Sequence, residues 1–230
     1  MVDISLKQKL VTEMIGTLAL VYVAGLTSLQ ADSDNLDLVG VAIANTMLLS
    51  IIIYFGYRFS GAHYNPAVTL SLLVTNRIEQ KEAIQYVGAQ LLGSILGGIL
   101  LLATAGEYLL ARARGKSTLG FPHVMQTYPF LQAILLEMVI TFILVFVIWA
   151  VAVDKKAPSH IYGLAIGGTV GFNILAAGPL TGAAMNPARV FGPALLTFDF
   201  SSHLVYWIGP LLGGVLAGIF YQHFYLDEIE

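Results

Sequence analysis

The chain has 230 residues, 57% of them hydrophobic and only 11% charged, with 11 Lys or Arg against 14 Asp or Glu and a net charge of −3. A soluble domain carries about a quarter of its residues charged, so this composition excludes an ordinary water-soluble enzyme and a disordered chain. Without a basic excess it also excludes a nucleic-acid binder. Cysteine is absent, which removes disulfides, thiolate metal sites and cysteine nucleophiles.

Taken in chain order, six charge-poor windows are long enough to cross roughly 30 Å of hydrocarbon, a task for about 20 apolar residues. They are residues 11–30, 38–57, 83–105, 131–153, 161–178 and 204–221, and the only charges inside them are Glu13 and Glu137. Uniformly apolar windows of this length suit helices, not the alternating strands of a barrel. The first window follows Lys7 and Lys9 but lacks a small-x-small cleavage site, so it reads as a span and not as a leader. Basic residues favour the cytoplasmic side. Lys7, Lys9, Arg58, Arg77, Lys81, Lys155 and Lys156 then fall inside, against Arg112, Arg114 and Lys116 outside. Both termini are expected in the cytoplasm of a multi-pass protein of the cell membrane.

The chain repeats itself. Glu13-Met-Ile-Gly-Thr17 matches Glu137-Met-Val-Ile-Thr141 at an offset of 124, and residues 60–68 (SGAHYNPAV) match 181–189 (TGAAMNPAR) at 121. Residues 86–98 match 206–218 at 120. Two halves, about 1–120 and 121–230, carry three spans each, and an odd number per half inserts the second upside down. The expected architecture is an all-α membrane protein, a single domain of six transmembrane helices plus two re-entrant half-helices in an inverted repeat, with its site where interrupted helices meet near the midplane.

The interruptions are residues 66–75 and 187–197. At 1.5 Å per residue each covers about half the bilayer. Each opens with Asn then Pro: Asn65 or Asn186 at the N-cap, then Pro66 or Pro187 where a missing N–H costs nothing, then Ala67 or Ala188. Both positive helix ends would face each other at the centre. Asn suits the tip better than Asp, because its oxygen accepts from the helix while its NH₂ donates into a pore. A water held oxygen-first by two such donors cannot relay a proton, and the helix ends repel cations.

With these two Asn-Pro-Ala half-helices, six spans, Glu13 and Glu137 opening the halves, and Asn-Pro-Ala-Arg at 186–189, the chain resembles the aquaporin, or major intrinsic protein, family over nearly its whole length. The resemblance implies a homotetramer in which each protomer holds its own pore. It also implies a constriction at which Arg189 donates to permeating molecules and repels cations. Three further constriction positions of the family fall on Asn45, Ile174 and Ala183. The aromatic and His of water-strict members are missing there, and so are the Trp and Phe of glycerol facilitators. Val190, Ala194 and the pair Tyr206-Trp207 lean towards the water branch. The filter is therefore expected to be relaxed, similar to plant vacuolar and archaeal members, and the chain reads as a prokaryotic or archaeal-like one. Water, with ammonia, hydrogen peroxide, urea or glycerol, would pass through a protein surrounded by membrane lipid.

Glu13 and Glu137 are read as supports that accept hydrogen bonds from the irregular loop before each half-helix. The alternative is a proton-coupled secondary transporter using them as carriers. A membrane junction protein of the same fold is the third reading. His63 is placed at the inner mouth as a polar wall, with pH gating as its alternative. His123, His160, His203 and His223 show no metal-ligand spacing. No enzyme activity, metal or cofactor is expected.

Overall fold

Residues 4–107, 120–157 and 160–226 are described in the computed structural model. Arg112, Arg114 and Lys116, the outer-loop half of the charge asymmetry, lie outside them. Eight helices follow in chain order among the described residues: α1 (Leu6–Asp32), α2 (Leu38–Ser60), α3 (Pro66–Val74), α4 (Gln80–Thr104), α5 (Phe130–Ile148), α6 (Tyr162–Thr181), α7 (Pro187–Thr197) and α8 (His203–Tyr221). Six of them are long and apolar enough to cross a membrane. The two short ones, of nine and eleven residues, are each about half that length.

Local chemistry sets the helix ends. Ser5 and Gln8 close a capping box at the start of α1, and the Asp37 carboxylate caps α2 by accepting from the Gly40 N–H at 2.7 Å. Gly61 and Gly182, both left-handed at φ +81° and +74°, stop α2 and α6 just before the two half-helices. Two ends were not legible beforehand. α5 and α8 each loosen into a π turn, Trp149–Val153 and Gln222–Leu226, and the Tyr221 hydroxyl donates to Asp154 at 3.0 Å next to the first of them.

Packing repeats the sequence duplication. α1 lies on α4 as α5 lies on α8, while α2 lies on α6 across the two halves. Small residues make the close approaches. A Cβ on Gly93 would strike the Met14 carbonyl, and one on its repeat counterpart Gly213 would strike the Met138 carbonyl. Gly97 faces the Leu18 carbonyl at 2.7 Å and Gly209 the Ile134 carbonyl at 2.7 Å, measured from that missing Cβ. These glycine pairs thus join helices of one chain, the small-residue packing expected in lipid. Each half-helix rests on the last full span of the other half, α3 on α8 and α7 on α4. There the Ser94 hydroxyl donates to the Ala188 carbonyl and accepts from the Gly192 N–H.

Candidate functional site

The two half-helices meet at their N-termini. Asn65 caps α3, its Oδ1 accepting from the Ala67 N–H at 2.9 Å, and Asn186 caps α7 in the same way through Ala188 at 3.0 Å. Each amide nitrogen then reaches into the opposite half. Asn65 Nδ2 donates to the Met185 carbonyl at 2.8 Å, and Asn186 Nδ2 donates to the Tyr64 carbonyl at 2.9 Å. The amides therefore clamp the two tips together as well as capping them. One hydrogen of each amide is spent on this crossed pair.

The loops that deliver these tips carry strained backbone. Ala62 and Tyr64 in one, and Ala183 and Met185 in the other, sit at φ between +45° and +54°, where a residue with a Cβ loses about 1–2 kcal/mol. The buried carboxylates hold them. Glu13 accepts from the His63 N–H at 2.9 Å, the Tyr64 N–H at 2.6 Å, the Ser60 hydroxyl at 2.6 Å and the Gln90 amide at 2.8 Å. Glu137 accepts from the Ala184 and Met185 N–H groups at 2.9 and 2.8 Å and from the Thr181 hydroxyl at 2.7 Å. Hydrogen bonds to a charged group contribute roughly 1.5–3 kcal/mol each, enough to offset the strain. Two tyrosines finish the frame: Tyr86 donates to the Ser60 carbonyl at 2.9 Å and Tyr206 to the Thr181 carbonyl at 2.8 Å. Neither glutamate is among the residues that line the cavity at the tips.

A cavity of about 400 Å³ runs past the tips and is lined by Asn65, Asn186, Arg189, Asn45 and His63. Most of its remaining wall is apolar and comes in one-turn steps: Leu49, Ile53 and Tyr57 continue from Asn45 along α2, Leu144, Ile148 and Ala152 follow α5, and Ile166 and Val170 lie on α6. These apolar stripes were not singled out from the sequence, although their spacing of four could have pointed to them. Tyr57 donates to the Ala152 carbonyl at 2.7 Å, joining two of the stripes at one end of the cavity.

The proposed filter residues divide. Asn45 and Arg189 line the cavity, whereas Ile174 and Ala183 are buried at 2% and 0% exposure and are not among its lining residues. Ile174 stands one turn beyond Val170 on the same face of α6, in line with the wall. The Ala183 carbonyl accepts from Arg189 Nη1 at 3.0 Å, so the guanidinium both ties down the loop and reaches the cavity. Arg189 Nε is buried without a partner among the described residues. His63 is on the wall too, its Nδ1 3.1 Å from the Thr69 hydroxyl. That hydroxyl donates to the Asn65 carbonyl and accepts from Gln90, so in neutral His63 the proton sits on Nδ1. Among the described residues no group of three or more His, Cys, Asp or Glu could hold a metal.

Comparison with known proteins identifies the family and the fold. The family model described as "Major intrinsic protein" matches residues 1–221. The chain is 40% identical to aquaporin TIP2-1 of Arabidopsis thaliana over 228 residues, 95% of this chain and 87% of that protein. It is 37% identical to aquaporin TIP4-1 of Zea mays over 238 residues, 98% and 89% of the two chains. The aquaglyceroporin from Plasmodium falciparum shares the fold, with a TM-score of 0.84 at 22% identity over 97% of this chain and 98% of that one. With its duplicated Asn-capped tips, six spans and a family match over residues 1–221, the chain belongs to the major intrinsic protein family.

Proposed function

We propose that the chain is a passive transmembrane channel for water that also passes small neutral solutes while excluding protons and ions. The observation that carries this reading is the meeting of two Asn-capped half-helix N-termini on the wall of one cavity. Each tip contributes about half a positive charge, and each Asn amide keeps a hydrogen for a water in the cavity. Water turned oxygen-first by both tips is a poor link in a proton wire, and cations meet a positive barrier reinforced by Arg189. The apolar stripes offer little to hold a molecule in transit, which suits fast passage.

Asn45, Ile174, Ala183 and Arg189 form the filter in this reading, with ammonia, hydrogen peroxide, urea and glycerol as candidate solutes beside water. The protein works as a homotetramer in a cell membrane with both termini cytoplasmic. Glu13 and Glu137 support the loops and carry no protons for coupled transport, a view favoured by their complete enclosure and their repeated bonding to loop N–H groups. His63 is a polar wall of the inner mouth.

The test is stopped-flow light scattering on proteoliposomes given a glycerol gradient, with empty liposomes beside them. Fast shrinkage followed by fast reswelling is the expected trace. Fast shrinkage with reswelling at the rate of empty liposomes would restrict the filter to smaller solutes. No acceleration of shrinkage overturns the reading.

A further inference from the structure

Tyr57 stands at a mouth of the cavity, lining it while remaining 37% exposed. It lies three helical turns along α2 from Asn45, about 18 Å at 1.5 Å per residue, so it is remote from the filter positions. Its hydroxyl donates to the Ala152 carbonyl at 2.7 Å, and Ala152 lines the same mouth from the π turn that follows α5. The two spans do not otherwise meet. Among the described residues no backbone contact joins α2 to α5 or to its π turn, and α6 packs on both spans. The bond therefore bridges two separate walls of the cavity. We infer that Tyr57, latched to Ala152, forms a second, inner constriction of the pore that sets its own size limit on solutes larger than water.

Both partners of the latch are held from behind. The Tyr57 ring packs on Tyr162 with centroids 4.6 Å apart, and Tyr162 packs on Tyr54 at 5.0 Å. The Tyr54 hydroxyl donates to the His160 carbonyl at 2.8 Å, so the three rings tie the end of α2 to the start of α6. The acceptor follows from how α5 ends. The last carbonyls of a helix lack intrahelical donors, and the Asp154 N–H turns back to the Trp149 carbonyl, leaving the Ala152 carbonyl to a side chain. Trp149 donates to the Ser71 hydroxyl at 3.1 Å and Asp154 accepts from Tyr221 at 3.0 Å, which anchors the turn on α3 and α8. Tyrosine joins an apolar ring to a polar tip. With its one proton spent on Ala152, Tyr57 offers a passing solute bulk and no donor to replace the water it sheds.

This inference rests on the channel reading and deepens it. The experiment measures glycerol and water permeability of the full chain in proteoliposomes, per incorporated protein, and compares their ratio between variants. Tyr57→Ala removes the ring and is expected to raise the glycerol-to-water ratio about tenfold, as about 1.4 kcal/mol off the glycerol barrier would. Tyr57→Phe keeps the ring but frees it from Ala152, and a smaller rise of about threefold is expected from the loss of one neutral hydrogen bond. Ala152→Phe adds bulk across the same mouth and is expected to lower the ratio. Changes of opposite sign cannot come from a general loss of folded protein. A ratio unchanged or lowered in Tyr57→Ala overturns the inference, and water flow through the parent protein then leaves the channel reading standing. A parent protein that conducts neither, beside a conducting Tyr57→Ala variant, supports a latch that shuts the mouth. Silence in both overturns the inference and the channel reading together.

Discussion

Asn65 donates across the middle of the molecule to the Met185 carbonyl at 2.8 Å, the residue immediately before Asn186, and Asn186 returns the bond to Tyr64, immediately before Asn65. Each cap is therefore oriented by the loop that presents the other. The two tips form one unit in which neither amide can rotate without giving up its bond to the opposite loop.

Replacing Asn65 or Asn186 by Asp removes the donor of this crossed pair and introduces a negative charge beside the positive helix ends. Proton and sodium leak into proteoliposomes is expected to rise by about an order of magnitude, equivalent to roughly 1.4 kcal/mol off the barrier. Unchanged exclusion of both ions would count against the half-helix barrier.

Glu137→Gln keeps one acceptor but turns an NH₂ towards either the Ala184 N–H or the Met185 N–H, which the two carboxylate oxygens accept separately. Leaving a buried donor without a partner costs about 1–3 kcal/mol, so a lower thermal midpoint in detergent is expected. Glu13→Gln should behave in the same way. Neither variant is expected to alter a response to an imposed proton gradient, because in this reading transport is not coupled. A solute accumulated uphill by the parent protein and not by the variants would restore the transporter reading.

Gly93→Ala and Gly213→Ala should each destabilise the fold by about 1–3 kcal/mol, since the added methyl meets backbone carbonyls that cannot swing aside. Gly88→Ala is the contrast. A Cβ there meets nothing within 4 Å, and the change is expected to be neutral or to stabilise by up to about 1 kcal/mol through helix propensity. Thermal unfolding of the three variants in one detergent compares them directly.

The chain has no cysteine, so mercurials lack a thiolate to bind. Water permeability is expected to be unaffected by them at micromolar dose, and rapid inhibition reversed by thiols would contradict the pore described above.

Much of this was legible in advance, for reasons that differ by element. The half-helices were visible because Asn, Pro and Ala impose a cap and a start on any helix, and residues 187–197 match α7 end for end. The spans were visible because hydrocarbon tolerates almost no charge. The carboxylates were visible as paired exceptions to that rule. What could not be read was direction. The family resemblance assigned Asn45 to a filter, but only the fold shows that its Nδ2 is turned to the Val41 carbonyl and the Thr27 hydroxyl. The π turns after α5 and α8 were equally hidden, since nothing in the apolar runs distinguishes a wider turn from an α-helical one. Ile174 could be assigned a helix face but not a place on the cavity wall, because burial depends on what packs beside it.

The paired hydroxyl contacts of Tyr86 and Tyr206 give the molecule its own control experiment. Each ties down the residue that opens a tip loop, Ser60 or Thr181, and each reaches the same kind of carbonyl. A Phe placed at one position can be judged against a Phe at its twin, with chain, lipid and assay held constant. Any difference between the two then belongs to what duplication has since left unequal around them: Gln90 beside Glu13 in one half, Arg189 in place of the Val68 counterpart in the other.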